Sequence, residues 1–146
     1  MKNLNLKFKT IFFLFCVLFS SCNLFANEKI PYLISGEMVL DSSSKYNAAG
    51  FDFCFINKSE KNVKNFTIVF YIFDEDGNPP AMGRNNIVIN VKSNVLANES
   101  FENCVSMDSF LYEIPEEPYE IDYLYVSRIV YEDDSEWNDS FGLYAF

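Results

Sequence analysis

The chain predicts an all-β fold, a single sandwich of about seven antiparallel strands preceded by an export leader. Three observations carry that prediction. From about residue 33 onward apolar side chains recur with a period of two. Polar segments rich in Asn, Asp, Ser, Gly and Pro separate the alternating stretches. After the leader, no window of 12 residues carries a 3.6-residue apolar period.

Taken in order, Ile34, Gly36, Met38 and Leu40 alternate with Ser35, Glu37 and Asp41, a half-buried first strand. Phe51, Phe53 and Phe55 alternate with Asp52 and Cys54 in the second. The third runs from Phe66 to Phe73 and is apolar on both faces, which marks a central strand. Ile87, Ile89 and Val91 form the fourth, and Phe101, Val105 and Met107 the fifth. Ile121 to Glu132 is the longest, and Trp137 lies on a short last strand. Polar loops at Asn57–Asn62, Asp74–Pro80 and Asn98–Ser100 punctuate the series. The segment Asp108–Glu120, with Pro115 and Pro118, has the length of a crossover between sheets. Seven strands in about 115 residues is the count for an immunoglobulin-like or fibronectin-like Greek-key sandwich. An eight-stranded barrel needs one strand more and comes second.

Composition narrows the functional classes. The 146 residues contain no histidine, so the commonest general base and metal ligand is missing. A net charge of −10 disfavours nucleic acid, whose phosphates need Lys and Arg. Aromatic residues reach 18%, with 16 Phe and 9 Tyr, which is core-forming composition and excludes a disordered chain. There is no Gly-rich phosphate loop, no nucleophile motif and no ligand cluster, so no cofactor is expected.

The first 21 residues read as a signal peptide. Lys2, Lys7 and Lys9 precede the unbroken apolar run Ile11–Phe19. Nine residues span only about 14 Å as a helix, too short for a comfortable membrane span. Phe19-Ser20-Ser21-Cys22 resembles a bacterial lipobox, with Cys22 as the lipidated residue of the mature protein. Ordinary cleavage after Ala26 is the alternative. Residues 22–32 then form a short tether and residues 33–146 the sandwich domain. The leader holds three basic residues and no acid, so the remainder is more acidic still and stays off anionic lipid. The expected protein is exported and membrane-anchored by its lipid, at the cell surface or in the periplasm, with a monomeric domain. Without lipid it would be soluble and periplasmic or secreted.

Three segments resemble small exported bacterial β-sandwich domains: Phe53 to Val63, Phe70 to Gly77, and Leu124 through Asp134 to Trp137. Such domains carry an N-x-S-x-K-x-I turn, a D-x-x-G hairpin and a late hairpin of the form V-x-Y-x-D-G-x-x-W. The resemblance covers about residues 50 to 137. Asp134-Ser135 is read as standing where Asp-Gly is usual. The motifs are structural turns, so the resemblance implies a fold and no catalytic residue.

Several constellations invite chemistry. Asp74-Glu75-Asp76-Gly77-Asn78 is acidic enough for calcium, but with Gly77 sixth in an EF-hand the first and twelfth ligand places fall on Ile72 and Gly83. A solvated hairpin turn is the simpler expectation. Glu132, Asp133, Asp134 and Glu136 could supply paired carboxylates for a secreted glycan-acting enzyme, provided that burial raises one of their pKa values. Asn-x-Ser/Thr triplets at Asn57, Asn65, Asn98 and Asn138 read as chance. Cys54 and Cys104 point outward on the second and fifth strands, which are neighbours in an immunoglobulin-like order. Directly opposed residues there lie about 4.5–5.5 Å apart at Cα, so a disulfide is expected, with two free thiols as the alternative.

The aromatic surplus is the most informative feature. Tyr71 and Phe73 share the outer face of the third strand, and Tyr123, Tyr125 and Tyr131 share a face of the long strand. If these strands are neighbours the five rings form an interaction face, since tyrosine gives contact area at low entropy cost. Alternatively the rings cap the core edge, or a bulge turns them inward. The function expected is a non-enzymatic structural or protein-interaction module.

Overall fold

The computed structural model describes residues 30–41 and 48–145, and the leader and Cys22 lie outside them. The described residues form seven strands and no helix. These are β1 (Tyr32–Asp41), β2 (Ala48–Asn57), β3 (Val63–Phe73), β4 (Asn86–Val95), β5 (Ser100–Ser106), β6 (Glu120–Tyr131) and β7 (Glu136–Asn138). They pair antiparallel in two sheets, of order β1-β2-β5 and β4-β3-β6-β7. Each strand read from the alternation is present. As expected, β3 is central and the 108–120 segment carries the chain from one sheet to the other.

The alternation explains the layers. Phe51, Phe53 and Phe55 turn inward from β2, and Phe66, Ile68, Phe70 and Ile72 turn inward from β3. Rings meet across the gap between the sheets, Phe55 against Phe66 at 4.0 Å and Phe51 against Phe70 at 4.2 Å between centroids. Such large rings bury apolar area that dominates the energetics of a small core. Trp137, on β7, closes one end and packs edge-on against Tyr32 at 5.5 Å. The Tyr32 hydroxyl in turn accepts the Val126 N–H at 3.0 Å, supplying a ladder partner beside a β7 only three residues long. Burial pushes that hydroxyl up to about 12.

The turns of the resemblance are built as backbone devices. Asn57 is fully buried, and its amide donates to the carbonyls of Lys61 at 2.8 Å, Val95 at 3.2 Å and Leu96 at 3.0 Å. An amide so occupied is no glycan acceptor. Asp74 accepts the N–H groups of Asp76 at 3.1 Å and Asn78 at 2.7 Å, which closes the β3–β4 turn on itself. Those bonds hold its carboxyl below the usual range, in a hairpin turn rather than a cation loop. In the β6–β7 hairpin the left-handed residue is Asp134, at φ 59°. The place usually taken by glycine therefore falls on Asp133-Asp134, one residue earlier than expected.

The expected disulfide is absent: Cys54 and Cys104 are free. Strands β2 and β5 do pair side by side, and both cysteines share the outer face. The register differs, however, for Cys54 lies opposite Glu102 and Cys104 opposite Asp52. The two thiols are diagonal neighbours, and such positions stand about 7–8 Å apart where a bridge needs Cβ atoms about 3.8 Å apart. Cys104 also leans over Gly50, away from Cys54; a Cβ on Gly50 would lie 2.8 Å from its sulfur. Burial and the neighbouring Glu102 carboxylate push the Cys54 thiol up, which keeps it protonated.

Candidate functional site

Pairing of β3 with β6 brings most of the predicted rings together. Tyr71, Phe73, Tyr123 and Tyr125 line one open pocket of about 340 Å³ on the outer face of the four-stranded sheet, with Asp122 and Phe141 completing it. Tyr131 is not part of it. Alternation along β6 is broken twice, because its pairing with β3 steps from Val126 to Arg128 and from Tyr125 to Asp122. The first irregularity absorbs Ser127 and reverses the faces beyond it. Tyr131 therefore turns into the core at 7% exposure, with the Lys61 ammonium 5.5 Å above its ring. The inward-turning bulge holds for this ring and not for the other four.

The second irregularity shapes the pocket itself. Tyr123 sits at φ 56°, a left-handed conformation that a bulky side chain rarely adopts. Asp122 accepts the Tyr123 N–H at 2.8 Å and so supports the kink. The extra residue leaves Asp122 and Tyr123 both exposed and returns Tyr125 to the same face. Strain of this kind persists only where surrounding structure over-determines it, and it clusters at binding sites. Tyr123→Gly should accordingly leave global stability within about 1 kcal/mol of wild type, since relief of strain offsets the lost ring contact. Urea denaturation checks this, and a loss above about 2 kcal/mol would show the ring to be structural.

The C-terminal segment contributes Phe141 to the pocket wall. Asp139 is buried, and its carboxylate accepts the N–H groups of Leu143 at 3.0 Å and Tyr144 at 3.1 Å. Its own N–H donates to Ser127 O at 2.9 Å, tying the segment to β6. This places Gly142, at φ 65°, flat on Tyr125, where a Cβ would come within 3.1 Å of the ring. Phe141 next to it stands 86% exposed. Burial, then the nearby Tyr71 and Asp139, pushes the Tyr125 hydroxyl up. The Tyr71 hydroxyl accepts the Asn86 amide at 3.2 Å. Val69, opposite both Val88 on β4 and Tyr125 on β6, continues the apolar surface across three strands.

Sequence reasoning missed Asp122, Phe141 and the role of Asp139. An aspartate followed within four residues by a glycine, at Asp139-Ser-Phe-Gly142, was the available sign of a turn that would expose the intervening Phe.

The carboxylates proposed for glycan chemistry lie at the opposite end of the long strand, three of the four in ion pairs and Glu132 accepting the Asn62 amide at 2.9 Å. Lys61 meets Asp133 at 2.7 Å, Lys64 meets Asp134 at 2.8 Å, and Arg128 meets Glu136 through its guanidinium. The Lys61 ammonium and the Ser135 hydroxyl hold Asp133 well below the usual carboxylate range, and the Arg128 guanidinium lowers Glu136. A general acid needs the reverse shift. A second pocket, of about 360 Å³, lies on the outer face of the three-stranded sheet and is lined by Glu37, Asp52 and Glu102 beside the Cys54 thiol. Among the described residues, no group of His, Cys, Asp and Glu has the geometry to hold a metal.

Comparison with known proteins adds the fold and nothing beyond it. No family model matches the chain, and no curated protein matches it. The 1.85 Å X-ray structure of a hypothetical protein from Peptoclostridium difficile 630 is similar over 78% of this chain and 89% of that one, with a TM-score of 0.59 at 12% identity. A Northeast Structural Genomics Consortium target overlaps 73% of this chain and 77% of its own, with a TM-score of 0.38 at 14% identity.

Proposed function

We propose that this chain is an exported, non-enzymatic interaction module that docks a protein partner on the aromatic face of its four-stranded sheet. The observation that carries the reading is the outward ring cluster in which the half-buried Tyr71, Phe73 and Tyr125 meet the exposed Tyr123 and Phe141. Monomeric proteins seldom leave large contiguous apolar patches in water, and such patches rimmed by polar groups mark contact sites. Tyrosine and phenylalanine are also the residues enriched at the centre of protein interfaces.

The rest of the proposal follows the sequence. Pairing of β2 with β5 and of β3 with β6 supports reading the domain as an immunoglobulin-like or fibronectin-like Greek-key sandwich. The lipobox-like Phe19–Cys22 supports anchorage through acyl chains on Cys22, which would hold the acidic domain beside a membrane without embedding it. The alternative is a secreted carboxylate enzyme acting on glycans, and the lowered Asp133 and Glu136 weigh against it.

A photoreactive phenylalanine analogue tests the docking face when placed at Phe141 in the full-length protein in its native membranes. The same analogue at Tyr112, which is 76% exposed on the 108–120 crossover, serves as the control. The expected result is a discrete adduct from position 141 that the control position does not give. Equal adduct patterns from both positions would overturn the docking face.

A further inference from the structure

Resting on that docking face, we propose that the pocket recognises a cation: a lysine or arginine side chain of the protein partner, seated over the rings and against Asp122. Aromatic faces carry negative potential and attract ammonium and guanidinium groups, most strongly where water is partly excluded. Four rings from two strands and a fifth from the C-terminal segment surround one opening, an arrangement that suits a compact cationic head.

Charge selects the sign of the occupant. Asp122 is the one charged residue lining the pocket. The ion pairs among the described residues all lie elsewhere, joining residues 61, 64 and 128 to residues 133, 134 and 136. Among the described residues no basic side chain lies within ion-pair distance of Asp122, whose carboxylate holds the Tyr123 N–H. Glu120 enters the same edge directly opposite Phe73 and adds a second negative charge. A chain of net charge −10 draws basic segments toward it and repels acidic ones. A neutral sugar could stack on the rings, but it would leave Asp122 and Glu120 without a counter-charge.

The test uses the full-length protein in a polyoxyethylene ether detergent, which carries neither a cationic group nor a sugar. Two blocked tripeptides, Gly-Lys-Gly and Gly-norleucine-Gly, differ only in the terminal ammonium, and maltotriose serves as the neutral sugar. Amide chemical shifts report each titration. The lysine peptide should move residues 71, 73, 122–125 and 141–142, and the norleucine peptide should bind at least about 5-fold more weakly. Asp122→Asn should weaken the lysine peptide about 5-fold and leave the norleucine peptide unchanged. Equal binding of the two peptides, or an Asp122→Asn variant that binds lysine normally, would overturn cation recognition and leave an apolar docking face. Tighter binding of maltotriose at the same amides would also overturn it. Silence from all three probes rejects the cation, while adduct formation at position 141 decides the docking face separately.

Discussion

Trp137→Ala should cost the fold about 3 kcal/mol or more, the range found when a buried aromatic ring is truncated. This single tryptophan is 8% exposed on a strand of three residues, so little backbone pairing would survive to hold β7 once its ring is gone. Its ring packs on Tyr32 at 5.5 Å and on Tyr144 at 6.0 Å. Loosening Tyr32 also endangers the hydroxyl that accepts the Val126 N–H. The indole Nε1 is buried with no acceptor among the described residues, and Trp137→Phe keeps an aromatic ring in the same place, so it should lose clearly less than the alanine variant. Urea denaturation followed by far-ultraviolet circular dichroism measures both. A loss below about 1 kcal/mol for alanine would mean that the ring does not close the core.

Asn57→Ala should destabilise by about 2–4 kcal/mol, because removing one buried partner strands the others. Three carbonyls, on Lys61, Val95 and Leu96, lose their donor at once. Ser59 loses the acceptor of its N–H at 3.0 Å and of its hydroxyl at 2.6 Å. These groups join the β2–β3 turn to the end of β4, on opposite sheets, so the bond network staples the sandwich. Asn57→Asp sharpens the test. A carboxylate facing three carbonyls is held protonated in the fold, so its pKa rises above the unfolded value of about 3.9. Stability of that variant is therefore greatest below the unfolded pKa and falls as pH rises through the raised one. A flat difference between wild type and Asn57→Asp from pH 3 to pH 7 would show that the amide is not enclosed as described.

The strands were legible because burial on one face leaves a period of two. Phe51-Asp-Phe-Cys-Phe55 and Phe66 to Ile72 could only alternate, and the pairing of neighbours followed from their order. What alternation cannot show is a break in itself. The irregularities of β6 at Ser127 and at Tyr123 leave the run Ile121 to Glu132 unchanged to the eye, yet one of them moves Tyr131 from surface to core. Register is equally silent, since a shift of two residues preserves every face. Cys54 and Cys104 were placed on the correct face and on neighbouring strands, and still stand on a diagonal. Four of the five rings expected at the interaction face do meet, because Tyr71 and Phe73 lie on a regular outer face and the bulge at Tyr123 restores Tyr125 to it. Phe141 escaped notice because its exposure depends on Asp139 capping the N–H groups of Leu143 and Tyr144.

The core and the proposed docking face draw on different rings. Inward rings from β2 and β3, with Tyr32 and Trp137, hold the sheets together, while the outward rings of β3 and β6 add little to that core. Hydroxyl-radical footprinting compares the purified full-length protein with the protein in intact cells of its source. Tyr123 and Phe141, 55% and 86% exposed, should oxidise readily when purified and become protected several-fold in the cells, while Tyr112 at 76% stays reactive in both. Unchanged oxidation of Tyr123 and Phe141 in the cells would contradict a partner on this face.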